Sequence, residues 1–182
     1  MPAQFHISVL SGTLQPLLLQ FDSTSNFGGY DMDASARTPK VLALGEGKKL
    51  QILAEMGWVK LSGSDTAGAY AIMEGQTPPG AGPPQHRHSR EDEAFYVLEG
   101  EYEFNVGGQR IRAPGGTFVF GPRGVAHSFR NIGATPARML IVTQPAGIEK
   151  FFEELGRLAS SGPPELLQVT ALAASYGIEL LI

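Results

Sequence analysis

Between about Val41 and Val142 the chain breaks into short apolar runs, none longer than a strand, punctuated by glycine and proline. VLAL, LQILA, WVKL, AYAIM, AFYVLEG, YEFNV, IRA, TFVF, HSF and RMLIV follow in that order. Between them lie turn signals: Gly45-Glu46-Gly47, GQTPPGAGPP, Gly107-Gly108 and Pro114-Gly115-Gly116. Strands this short, reversed by residues that supply tight turns and positive φ, restrict the fold to an all-β sandwich or barrel. The clearest local prediction is a hairpin of Glu101 to Val106 with Gln109 to Ala113, because a two-residue Gly-Gly loop suits a primed turn.

The flanks read differently. Phe21 to Ala36, FDSTSNFGGYDMDASA, has neither a period of 2 nor one of 3.6 and reads as an arm or linker, a candidate to pack on a neighbouring subunit. From Ile148, IEKFFEELGRLAS sets Phe151, Phe152 and Leu155 at helical spacing with Glu and Lys opposite, which predicts an amphipathic helix. A second helix is expected from Pro163-Pro164 to near Gly177. The organisation expected is an N-terminal arm over 1–36, a β-barrel over 37–146 and a pair of α-helices over 147–182. At 182 residues, one core suffices.

Bulk chemistry narrows the partners. A net charge of −4, with basic residues scattered, argues against nucleic acid and anionic lipid. With no cysteine, the chain has no disulfide, thiolate site or cysteine nucleophile. No apolar run reaches spanning length, and no Lys or Arg precedes ISVLSGTLQPLLLQF near the start, so a cytoplasmic protein without a membrane partner is expected.

Chemistry must then rest on histidines, carboxylates or hydroxyls. Three of the four histidines fall in the β region. His86 and His88 are two apart, so on a strand both point to one face. Glu93 opens the run EAFYVLEG on the face that continues with Phe95 and Val97, and a carboxylate entering an apolar face needs a cation. His127 has to be delivered by the fold. His6 lies outside the pattern and reads as a surface residue. Imidazoles with one carboxylate suit Fe, Mn, Ni, Co, Cu or Zn, and suit Mg or Ca poorly.

These residues lie in two gapless motifs. Gly80, His86, His88, Glu93 and Gly100 fit G-x5-H-x-H-x4-E-x6-G, and Gly116, Pro122, Gly124, His127 and Asn131 fit G-x5-P-x-G-x2-H-x3-N, with 15 residues between. In this the chain resembles the cupin superfamily, single-domain type. The resemblance implies a double-stranded β-helix, the jelly-roll barrel. It also implies one divalent transition metal held by His86, His88, Glu93 and His127, with Asn131 structural. One position departs from the pattern: Thr117 stands where many cupins carry aspartate, which touches a turn and not the ligands.

The first motif and the trailing FFEEL helix look like the quercetin 2,3-dioxygenase-like group. That likeness implies a metal-dependent dioxygenase acting on an aromatic, flavonol-like small molecule, with Glu93 also taking the substrate hydroxyl proton. A pocket wall of Phe95, Val97, Phe118, Phe120 and Phe129 is expected beside the ion. Two alternatives stay open: an isomerase, lyase or hydrolase acting on a small carbonyl compound, clamped by Arg112, Arg130 or Arg138, and a non-enzymatic small-molecule binder. A homodimer is the expected assembly.

Overall fold

The computed structural model describes residues 38–182; the predicted arm over 1–36 lies outside the described residues. In chain order the elements are β1 (Lys48–Ile52), β2 (Glu55–Leu61), α1 (Gly63–Thr66), β3 (Ala71–Thr77), β4 (His86–His88), β5 (Asp92–Glu99) and β6 (Glu101–Val106). They continue as β7 (Gln109–Pro114), β8 (Phe118–Gly121), β9 (His127–Asn131), β10 (Ala137–Gln144), α2 (Ile148–Leu158), α3 (Leu166–Ser175) and β11 (Ile178–Leu180). The strands form two antiparallel sheets, ordered β1-β2-β3-β10-β5-β8 and β11-β4-β9-β6-β7. Chain neighbours are thus repeatedly dealt to opposite sheets, as in a jelly roll.

Side-chain alternation determines what each sheet turns inward. On β5, Glu93, Phe95 and Val97 are buried while Tyr96 is exposed. With Tyr102, Phe104, Ala113, Val119, Ala137 and Met139, Phe95 and Val97 form one core cluster. Each large side chain buried there contributes about 1.5–3 kcal/mol of transfer free energy. The β6–β7 hairpin pairs Glu101 with Pro114 through to Val106 with Gln109. Its turn residues Gly107 and Gly108 both have positive φ, 58° and 85°, as a primed turn requires. At the β5–β6 reversal Gly100 has φ 80°, and a Cβ there would lie 2.6 Å from that of Ala137, so only glycine fits.

A second cluster joins Leu50, Val59 and Met73 of the larger sheet to Ile148, Phe151 and Leu155 of α2, Ala173 of α3 and Ile178 of β11. The N-terminus of α2 is tied down by Glu149, whose carboxylate accepts from Gly147 N at 2.7 Å and from Gly63 N at 2.9 Å.

Three features differ from the sequence expectation. The run VLAL forms no strand: Val41 is 97% exposed, and a turn in which Glu46 N donates to Ala43 O follows it. Lys60 Nζ takes the carbonyls of Ala43 and Glu46 instead of a ladder partner. The helix expected from Pro163 begins at Leu166. The chain then returns as β11, where Ile178 pairs with His88 and Leu180 with His86, so part of the tail belongs to the smaller sheet. Among the described residues, no helix is long and apolar enough to cross a membrane.

Candidate metal centre

Pro83 and Pro84 lead the chain into β4, where His86 and His88 point inward and Arg87 points out to Glu179, 2.6 Å away. β4 lies beside β9 with His86 opposite His127, and His127 is in turn opposite Val106 of β6. Glu93 enters from the other sheet, flanked by Gly121 on β8 and Thr143 on β10. Three imidazoles from one sheet and one carboxylate from the other therefore converge in the barrel interior. All four residues are buried, and one donor atom from each lies within 4.8 Å of the others.

Hydrogen bonding aims two of the rings. His86 Nδ1 is 2.9 Å from Pro84 O and His127 Nδ1 is 3.0 Å from Val125 O. A carbonyl only accepts, so both Nδ1 atoms carry the proton and both Nε2 lone pairs face inward. Yet His127 Nε2 is 2.8 Å from Glu93 Oε2. A lone pair facing a carboxylate oxygen is relieved only by a shared cation, a proton or a metal ion. His88 adds to the case, since neither of its buried nitrogens has a hydrogen-bond partner; Nε2 stands 3.3 Å from Glu93 Oε2. Three imidazole nitrogens and one oxygen fit a first-row transition metal, and they are too poor in oxygen for Mg or Ca.

Burial and neighbouring charge act strongly on Glu93, His86 and His88. Burial alone would raise the Glu93 carboxyl, but the contact with His127 and the imidazole of His88 3.3 Å away hold it well below the usual range. Burial pushes His86 down to about 4, helped by the neighbouring His127 and His88 and opposed by Glu93. Burial also opposes charge on His88, but Glu91 and Glu93 outweigh it and raise it to about 9.

The apolar wall is present only in part. Phe95 lies 6.0 Å from the His127 ring and 5.9 Å from Phe129, which also packs on Phe104 and Tyr102. Val97 is fully buried in the same cluster. Phe118 and Phe120 were expected in this wall and are not there. They face out of the barrel, 63% and 51% exposed, because Val119 and Gly121 take the inward positions of β8. Asn131 is structural: its side chain donates to Thr77 O and Thr135 O, both at 2.8 Å, and accepts from Gly133 N.

None of the three arginines considered as clamps reaches the four ligands. Arg112 pairs with Glu101, Arg130 donates to Gly80 O, and Arg138 pairs with Glu74 above Trp58. His6 lies outside the described residues. Beside the cluster, two buried polar residues escaped sequence reasoning: Glu91, which faces His88, and Thr143, which lies opposite Glu93. Glu91 was signalled by its place two before Glu93, whereas Thr143 could be found only through the β10–β5 register. Surface clefts of about 1010 and 500 Å³ are lined by none of the four ligands.

Two antiparallel sheets with three histidines and a glutamate gathered between them define a jelly roll with an interior cluster that could hold a metal ion. The family model described as a cupin domain matches residues 73–143, a span that includes every proposed ligand. The chain belongs to the cupin superfamily. It is 30% identical over 118 residues to quercetin 2,3-dioxygenase of Bacillus subtilis, across 65% of this chain and 35% of that enzyme. It is 35% identical over 65 residues to an oxalate-binding protein of Thermotoga maritima, across 36% of this chain and 54% of that protein. The matches thus span about a third to a half of these curated relatives. Among solved structures, KdgF from a Halomonas species superimposes with a TM-score of 0.55 at 16% identity, covering 62% of this chain and 99% of that one.

Proposed function

We propose that the chain is a metal-dependent dioxygenase acting on an aromatic, flavonol-like small molecule. The observation that carries this reading is the aromatic packing beside the four residues: Phe95 stands 6.0 Å from the His127 ring, next to half-buried Phe129. His86, His88, Glu93 and His127 would hold the ion. When bound, a transition metal supplies a Lewis-acid centre able to orient substrate and dioxygen. The remaining work belongs to the chain. Phe129, half-buried and packed edge-on to Phe95, is the ring against which a planar substrate would pack. Glu93, kept ionised by its histidine partners, is the acceptor for a substrate hydroxyl proton. The buried surroundings exclude bulk water from the reacting atoms.

The similarity to quercetin 2,3-dioxygenase supports the same reading. Isomerase or lyase chemistry is less well served, because Arg112, Arg130 and Arg138 are committed elsewhere. Oxygen-electrode measurements on metal-loaded protein with a panel of flavonols test the proposal. Dioxygen uptake matched by loss of flavonol absorbance is expected. Turnover under anaerobic conditions, or saturable binding with no uptake, would contradict it.

A homodimer fits the outer face of the larger sheet. Tyr96 pairs with Phe118, and both are exposed beside Phe120 on β8, an edge strand. At roughly half exposure, three such rings present on the order of 300 Å² of apolar surface, the scale of an interaction patch. Light scattering on the wild type and on Phe118→Ser tests this: a dimer that the substitution weakens supports it, and a wild-type monomer contradicts it.

A further inference from the structure

The three histidines of the centre are not held alike. His86 and His127 each direct Nδ1 to a main-chain carbonyl two residues earlier, Pro84 O and Val125 O. His88 has no such carbonyl. Its Nδ1 faces Glu91 Oε2 at 3.4 Å, while its Nε2 faces Glu93 Oε2 at 3.3 Å. The imidazole therefore stands between two carboxylates, one on each nitrogen.

Glu91 is itself an anomaly. It is 5% exposed, and its Oε2 is buried without a hydrogen-bond partner. A buried carboxylate oxygen without a partner is expensive, so its position calls for a reason beyond packing. It does not belong to the ligand cluster, whose carboxylate donor is Glu93. Nearby, Arg123 is committed to Asp92, with contacts at 2.7, 2.8 and 3.1 Å. The buried group toward which Glu91 turns is the outward nitrogen of His88.

The geometry points to Glu91 as a positioning residue that accepts the Nδ1 proton of His88 and thereby presents its Nε2 lone pair to the metal. This rests on the metal-binding reading above. A carboxylate on the far nitrogen fixes the tautomer and ring orientation and makes the imidazole a stronger donor than a carbonyl would. His88 is then the most basic of the three nitrogen ligands, an electronic asymmetry within a set alike in residue type. Tightening of a few tenths of an ångström would complete the hydrogen bond.

The test compares wild type with Glu91→Gln, Glu91→Ala and Glu91→Asp. Co(II) affinity is measured by chelator competition, the Co(II) absorption spectrum is recorded, and the His88 tautomer is read by ¹⁵N NMR of the Zn(II)-loaded protein. Thermal midpoints without metal report on folding. We expect Co(II) affinity to fall about ten- to a hundred-fold in Glu91→Gln and Glu91→Ala, with a shifted spectrum, loss of the protected His88 Nδ1 proton, and partial recovery in Glu91→Asp. Glu91→Gln keeps the shape of the side chain and guards against misfolding of the alanine variant. Unchanged affinity, spectrum and tautomer in folded variants, with wild type binding Co(II), would overturn the role of Glu91 alone. Failure of the wild type to bind Co(II) or Zn(II) would overturn the metal reading with it.

Discussion

Glu93 Oε2 lies 2.8 Å from His127 Nε2, a contact between two sheets and across 34 residues of sequence. Each residue is buried, and each has its neighbours arranged so that it turns a lone pair or negative charge toward the other. Removing the charge while keeping the shape isolates its role. Glu93→Gln should lower transition-metal affinity by more than about 100-fold, beyond the usual effect of losing a partner one shell further out. Chelator competition measures this, and wild-type affinity in the variant would refute the assignment.

The opposite orientations of two phenylalanines give a stability test. Phe104 is buried in the barrel, so Phe104→Ala should destabilise by about 3–5 kcal/mol. Phe118 lies on the outer face, and Phe118→Ala should change monomer stability by less than about 0.5 kcal/mol. Urea denaturation at low protein concentration separates the two; a large effect at Phe118 would place it inside.

Strand alternation divided each run into two faces but did not say which face is inward. On β5 the carboxylate marks the inner face, because Glu93 needs the imidazoles opposite it and Phe95 and Val97 share its side of the strand. β8 offers no such marker: bulk alone favours Phe118 and Phe120 for the inner face, whereas Val119 and Gly121 occupy it. His86 and His88 were legible from spacing, and the Gly107-Gly108 hairpin from turn chemistry. VLAL has the composition of a strand but forms none, because an apolar run becomes a strand only where a partner is available to pair with it. The return of Ile178–Leu180 to β4 is a long-range pairing with no local signature.

That pairing makes the tail part of the site. Ile178, buried and opposite His88, helps hold the strand that carries two ligands, and Leu181 N donates to Gln85 O just before it. Ile178→Ala should lose about 2–4 kcal/mol of stability and weaken metal binding together. Calorimetry with and without Co(II) checks both; a stability loss with intact affinity would mean that β4 holds its geometry without β11.

Acid stability should depend on Glu74. Burial works against its charge, but Lys60 at 2.7 Å, the amide of Gly45 and Arg138 at 2.6 Å hold its carboxyl below the ordinary value of 4.5. A carboxyl depressed in the folded state contributes stability above its unfolded value, and this is lost as pH falls through the folded one. Stability should therefore decline below about pH 4.5. Glu74→Gln should flatten that decline while costing about 3 kcal/mol at neutral pH, since two cations lose their partner. Denaturation midpoints between pH 3 and 7 would show it, and identical pH profiles would contradict it.

The most direct test of the central claim is elemental analysis of protein made without a histidine tag, beside His88→Ala. About one transition-metal ion per chain is expected in the wild type, lost or strongly reduced in the variant. Equal and negligible metal in both, after growth with the metals supplied, would contradict the assignment of His86, His88, Glu93 and His127 as a metal site.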